Sequence, residues 1–277
     1  MSKNVFSIDV EDWYQGIGIP ISDWDRYEKR VDRSMDTLLE LMSLHEVRST
    51  CFILGKTADE HPALVKRIQA NGHEIATHGY SHELVYRMNP VSFRADLRKS
   101  IDILQNLTGN QVIGYRAPYF SITSESLWAL DILAEEGIRY DSSIHPVMNW
   151  RYGIPSAERT AKSISTPSGY GLLEIPVSTY PYPFFNLPVG GGAYFRIYRY
   201  GFIDFHLKRL LEKDGYINFY IQPWELDPLH PRLKLPLRIS VTHYHNLDTT
   251  YYKLDTLFKD YTFTDYSTAF RTDIFAQ

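Results

Sequence analysis

The feature that most constrains this chain is a short apolar run that stops abruptly at polar, chemically capable side chains, met repeatedly along its length. Residues 5–10 read VFSIDV and turn at once into Glu11 and Asp12. Residues 50–54 (TCFIL) end at Gly55, residues 73–77 (HEIAT) deliver His78, and residues 112–115 deliver Arg116. Residues 138–140 lead into Asp141, and residues 216–221 (YINFYI) into Gln222-Pro223-Trp224-Glu225. Short apolar runs bounded by turn signals read as strands buried on both faces. Between them lie helical patterns. Met35, Leu38, Leu39, Leu41 and Met42 keep a helical period within residues 34–44, and a second helix spans residues 58–71 with Pro62 early and Gly72 after its end. Asn89-Pro90 opens a helix to about residue 107, and Thr123 or Ser124 caps the next, which closes near Gly137. Strand alternating with helix argues for parallel strands and crossover helices, an α/β chain whose functional groups gather at the strands' C-terminal ends.

The second half is looser. Residues 144–170 read as loop, 172–179 as a strand, 198–213 as a helix ending at Gly215, 239–243 as extended, 249–259 as a helix and 261–263 as a last short strand. At 277 residues with 44% hydrophobic content, the chain can fill one barrel-sized core, and no linker or repeat divides it. A single domain over residues 1–277 is expected. No run approaches the roughly 18 apolar residues of a membrane span, and no secretory signal opens the chain. The single cysteine, Cys51, fits a reducing compartment, so a cytoplasmic location is expected. A net charge of -4 with interspersed signs leaves no nucleic-acid footprint. The aromatic load of 21 Tyr, 14 Phe and 5 Trp serves core packing first, with some rings left to line a sugar-type groove.

The polar clusters carry the chemistry. His78-Gly79-Tyr80-Ser81-His82 spaces two imidazoles four residues apart, close enough to share one divalent ion, which then wants a carboxylate as well. Each piece alone has a plainer role: Asp9 and Asp12 as caps or ion-pair partners, His78 and His82 as loop histidines, Arg116 as a partner for a surface acid. If the parallel strands curl into a barrel, Asp9, Glu11, Asp12, His78, His82, Arg116, Asp141 and Gln222 meet at one rim. Packing does not explain that convergence.

The stretch STCFILGKTADEHPALVKRIQANGHEIATHGYSH (49–82) resembles the NodB-homology polysaccharide deacetylases, carbohydrate esterase family 4. HGYSH matches the family's metal-binding H-[ST]-x-x-H motif in spacing, with Gly at the second place. IDVED at 8–12 is similar to the first motif and RAPY at 116–119 to the third. SIDVEDWYQ, YDSSIHP, GGGAYFR, QPWELDP and HYHNL resemble a subgroup of exopolysaccharide loci. The resemblance implies a distorted (β/α) barrel and metal-dependent removal of acetyl from an N-acetylated sugar or oligosaccharide. The ion, most commonly zinc, is implied to sit on one carboxylate, His78 and His82. Asp9 is implied as the base, Arg116 as its positive neighbour, the backbone N–H of Tyr119 as an oxyanion donor, and Asp141 as a brace for Arg116. Asp12 is the expected carboxylate ligand. Strand alternation would instead favour Glu11, which shares a face with Asp9. Trp13, Gln222 and Trp224 are the expected sugar contacts, and homo-oligomerisation is left open.

One departure stands out. Where the family presents a histidine before Pro-Trp-Glu as general acid, this chain has Gln222, and an amide cannot deliver a proton as an acid. Three outcomes are open: His145, His243 or His245 takes the role; the metal water and Asp9 shuttle the proton alone; or hydrolysis is lost and a metal and sugar site remains for binding. Ring opening of a cyclic amide or ureide is the rival hydrolytic reading.

Overall fold

The computed structural model describes residues 3–275. Its frame is an eight-stranded sheet built from β1 (Val5–Val10), β2 (Thr50–Ile53), β3 (Glu74–Thr77), β4 (Gly114–Tyr115), β5 (Tyr140–Asp141), β6 (Lys162–Ser165), β7 (Gly171–Glu174) and β10 (Asn218–Ile221). The order is β10-β1-β2-β3-β4-β5-β7-β6, parallel throughout except for β6, which runs antiparallel along β7. All six residues of β1 are buried, as expected of a strand covered on both faces. A two-stranded hairpin, β8 (Thr179–Pro181) with β9 (Asn186–Pro188), stands apart from the sheet.

The sheet curls into the expected distorted barrel. Between β7 and β10 the wall is completed irregularly by residues 175–191. Ser178 N–H bonds the Asn218 carbonyl at 3.0 Å, Tyr220 N–H bonds the Gly190 carbonyl at 2.8 Å, and the Asn218 amide donates to the carbonyls of Ile175 and Pro176.

Helices cover the outside: α1 (Val31–Leu44), α2 (Gly55–Glu60), α3 (Pro62–Ala70), α4 (Pro90–Thr108), α5 (Trp128–Glu135), α6 (Gly192–Ile197), α7 (Tyr200–Asp214), α8 (Leu237–Tyr244) and α9 (Leu247–Asp260). The longest, α4, shows why. Asn89 and Ser92 form a capping box, Gly109 ends the helix at φ 70°, and Phe93, Leu97, Ile101 and Leu104 bury one stripe. Inside the barrel, Phe52, Tyr140, Tyr266 and Phe270 pack with Val5 and Leu173, and the last two helices, α10 (Tyr266–Ala269) and α11 (Arg271–Phe275), supply part of that plug.

Register fixes the rim. Val10 pairs with Ile53, Ile53 with Thr77, Thr77 with Tyr115, Tyr115 with Asp141 and Asp141 with Glu174. The residues that follow, among them Glu11, His78, Arg116 and Ser142, therefore leave the sheet at one level. Ile8 pairs with Ile221, which brings Gln222 alongside Asp9.

Several expected elements differ. The helix expected over residues 58–71 is two, broken at His61, whose backbone (φ -126°, ψ 57°) leaves the helical region ahead of Pro62. Residues 239–243 are helical within α8: Pro236 precedes its first turn, and burial of His243 and Tyr244 overrides the β-branched Ile239 and Val241. The loop expected over 144–170 contains β6, an exposed edge strand without an apolar alternation to announce it. The final strand expected at 261–263 reduces to a single bridge between Val5 and Thr264.

Candidate metal and catalytic site

His78 leaves the end of β3 with its N–H bonded to the Ile53 carbonyl at 3.0 Å. Its Nδ1 lies 2.8 Å from the Arg116 carbonyl, which can only accept, so Nδ1 carries the proton and Nε2 is free. Burial pushes this imidazole down to about 3, with His82 next in effect, so the ring is neutral as a ligand must be. The chain then turns through Gly79 at φ 73°, where a Cβ would sit 3.0 Å from an Asp96 carboxylate oxygen. Asp96, on α4, accepts from Tyr80 N–H, Ser81 N–H and Ser81 Oγ at 2.7, 3.0 and 2.5 Å. That clamp aims His82, itself at φ 58°, back toward His78, with ring centroids 5.4 Å apart.

The carboxylate that meets the histidines is Glu11, correcting the expectation of Asp12. Glu11 Oε2 lies 2.5 Å from His82 Nε2 and 4.0 Å from His78 Nε2. Ligand atoms of these three residues all fall within 4.8 Å of one another. The cause is strand alternation, which turns Asp9 and Glu11 to one face. Asp12 turns the other way: its carboxylate accepts from the N–H groups of Trp13, Arg30 and Val31 at 2.8, 2.7 and 3.1 Å, the last two at the start of α1. Burial lifts its carboxyl to about 6 against those donors.

Glu11 is fully buried, and its Oε2 has no hydrogen-bond donor. A buried carboxylate oxygen without a donor, facing two imidazole nitrogens, is the donor set a divalent cation completes. The residues present therefore fit a metal. The other oxygen, Oε1, accepts from Gln222 Nε2 at 2.7 Å. Gln222 is itself held by Glu225, whose carboxylate accepts Gln222 N–H at 3.1 Å and pairs with buried Arg196 at 2.7 Å. Arg196 comes from the GGGAYFR run and also bonds the carbonyls of Thr242, His243 and His245.

Beside this cluster lies Asp9, with Oδ1 2.7 Å from Arg116 Nη1. Burial holds the Asp9 carboxyl above its usual range, and the Arg116 charge and hydrogen bond offset only part of that rise. Arg116, fully buried, is fixed by the Ser142 hydroxyl at 2.9 Å, the Tyr266 hydroxyl at 2.8 Å and the face of Phe52 at 4.2 Å. Asp141 does not brace it directly, a second correction. Its carboxylate accepts from Ser143 Oγ at 2.5 Å, and that oxygen accepts Ala117 N–H at 2.7 Å. Asp141 thus holds the loop after Arg116, and it sits beside Glu174, its partner in the sheet register, where burial pushes both carboxyls up.

Tyr119 sits at φ 55°, ψ 21°, in the left-handed region, its ring set edge-on to that of His82 with centroids 4.6 Å apart. Together with Gln222 and Trp224 it lines a cavity of about 210 Å³. Trp13 does not reach that cavity, a third correction: it is buried, donates Nε1 to the Glu28 carbonyl at 3.0 Å and stacks on His230. Of the three histidines considered for the acid, His243 lines the cavity, His145 is buried against Phe120 and Tyr152, and His245 accepts from the Asn246 amide at 2.8 Å. Asp96, Tyr266 and Arg196 are the supporting residues sequence reasoning missed; only Arg196 lay in a run already singled out.

Comparison with known proteins fits this geometry. Residues 25–140 match the family described as polysaccharide deacetylase, and residues 142–271 match a domain of unknown function, DUF3473. The first range contains His78, His82, Arg116 and Tyr119, and the second Gln222 and Trp224; Asp9 and Glu11 precede both. A peptidoglycan-N-acetylglucosamine deacetylase of Bacillus cereus is 30% identical over 123 residues, 40% of this chain and 45% of that protein. The chain thus spans under half the length of that curated relative. The crystal structure of a putative polysaccharide deacetylase from Mycobacterium smegmatis superposes with a TM-score of 0.65 at 21% identity, over 99% of this chain and 90% of that one. A Puue allantoinase shares the fold at TM-score 0.61 and 14% identity, over 96% and 88% of the two chains.

Proposed function

Because this chain carries a polysaccharide deacetylase domain over residues 25–140, we propose that it is a metal-dependent hydrolase releasing acetate from an N-acetylated saccharide. The observation that carries the reading is the convergence of Glu11, His78 and His82 beside the Asp9–Arg116 pair. The proposed ion is zinc, whose chemistry is to lower the pKa of a bound water to about 7 and to polarise the amide carbonyl. Asp9 takes the proton of the attacking water, with Arg116 holding it ionised and oriented. The Tyr119 backbone N–H is assigned to the developing oxyanion. As the C–N bond breaks, acetate leaves and the proton held by Asp9 returns to the amine. Gln222 orients Glu11, which accounts for an amide at that position without asking it to donate a proton. The same proposal places the protein in the cytoplasm, acting on a glycan destined for the cell surface or export; its single, buried cysteine supports that compartment.

A second reading is favoured by Gln222: a site that keeps metal and sugar but turns over poorly, since the residue beside the carboxylate is no acid. Acetate release from N-acetylated oligosaccharides by the zinc-loaded protein separates the two. The deacetylase reading expects steady release, falling about 10²- to 10⁴-fold in Asp9→Asn with the metal retained. No release from wild type, rescued by Gln222→His, would transfer the case to the second reading.

A further inference from the structure

The cavity beside the site is lined by an excess of basic side chains. No Asp or Glu is among its lining residues, whereas Arg151, Arg196 and Arg238 are. Arg196 is consumed by Glu225 and three backbone carbonyls. Arg151 and Arg238 are not paired with a carboxylate among the described residues. Their guanidinium carbons lie 4.7 and 5.5 Å from the ring centre of Trp150, which is 62% exposed. Two unpartnered arginines about one exposed ring form a receptor for a planar or tetrahedral anion.

The same wall holds two buried polar atoms without partners. Trp224 Nε1 and His243 Nε2 have no hydrogen bond, though the side chains are only 5% and 4% exposed and their rings lie 4.2 Å apart. Both atoms are sealed from solvent, so the arginines are the groups that an anion entering the cavity would meet. Tyr119, Trp150 and Arg151 also line a second cavity that reaches His82, so the anion receptor adjoins the proposed metal.

We propose that this cavity is a subsite for an anionic sugar unit, its carboxylate or phosphate held by Arg151 and Arg238 beside Trp150. The inference rests on the deacetylase reading and narrows its substrate to an acidic saccharide with the acidic group next to the acetamido sugar.

The test is calorimetric binding to the zinc-loaded Asp9→Asn protein, with wild-type KM values as a second measure should that variant fold poorly. The probes are a neutral N-acetylated trisaccharide, the same trisaccharide with one hexuronic acid unit, and a nucleoside-diphosphate-linked N-acetylhexosamine. At least one acidic probe should bind about tenfold tighter than the neutral one, losing that margin as salt is raised. Arg151→Gln combined with Arg238→Gln should bring the ratio of affinities close to one. A preference for the uronate or for the diphosphate identifies the source of the anion, and either supports the subsite. Equal affinity for all three, no binding of any, or a preference that survives the double substitution would overturn it. Preference without acetate release would keep the subsite and remove the deacetylase reading; release without preference would do the reverse.

Discussion

Glu11 and Asp12 are adjacent carboxylates with opposite duties. One reaches the histidines, and the other serves the first backbone N–H groups of α1. Charge and reach do not separate them; the pleat does, because Glu11 shares the face of Asp9. The expected outcome is a clean split between variants. Glu11→Gln should lose stoichiometric metal and keep its fold, as measured by elemental analysis and thermal melting. Asp12→Ala should keep its metal and lose about 1–3 kcal/mol of unfolding free energy, the usual cost of stranding buried donors. Metal loss in the Asp12 variant and retention in the Glu11 variant would reverse the assignment.

At the scale of elements, the HGYSH segment depends on the helix that follows it, α4. The turn from Gly79 to Ser81 is held by the single carboxylate of Asp96 on α4, so His82 is aimed by packing between β3 and α4. Asp96→Ala should therefore weaken zinc affinity by about 10- to 100-fold while far-UV circular dichroism stays unchanged. An affinity equal to wild type would show that the turn holds itself. Here the limits of the sequence are physical. The apolar runs and the polar residues behind them exposed the parallel strands and their common rim, because burial on two faces leaves a local mark. Asp96, Tyr266 and Arg196 left none: each acts on a residue in another element, and a lone acid or arginine in a helix reads as solvent-facing. Trp13 misled for the opposite reason, since an indole after a strand signals a groove until its N–H is seen bonded to Glu28 and its ring stacked on His230. The break at His61–Pro62 was legible as a proline yet ambiguous, because proline also suits the first turn of a helix.

At the scale of the whole molecule, the barrel carries a buried acid pair that links its stability to pH. Burial raises Asp141 to about 6 and holds Glu174 well above the usual carboxylate range, with the neighbouring carboxyl adding to the rise at Glu174. Groups raised in the folded state contribute stability below the unfolded carboxylate range, and that contribution is lost as pH climbs through the folded values. Glu174→Gln should keep an acceptor for the Ile144 N–H and remove the charge, so its unfolding free energy should exceed that of wild type at pH 8 and approach it near pH 4. Parallel curves for the two proteins would show that Glu174 is not raised in the folded state. A bound ion would tie the fold together as well, since its proposed ligands follow β1 and β3, the two strands that flank β2. Binding of an ion at a hundred times its dissociation constant contributes about 2.7 kcal/mol, or several degrees of melting temperature for a chain of this size. The most direct measurement is a zinc titration of metal-stripped protein, following melting temperature and acetate release from an N-acetylated saccharide in the same samples. The account predicts that both rise together and level off at one equivalent; a melting temperature and an acetate signal that ignore zinc would contradict it.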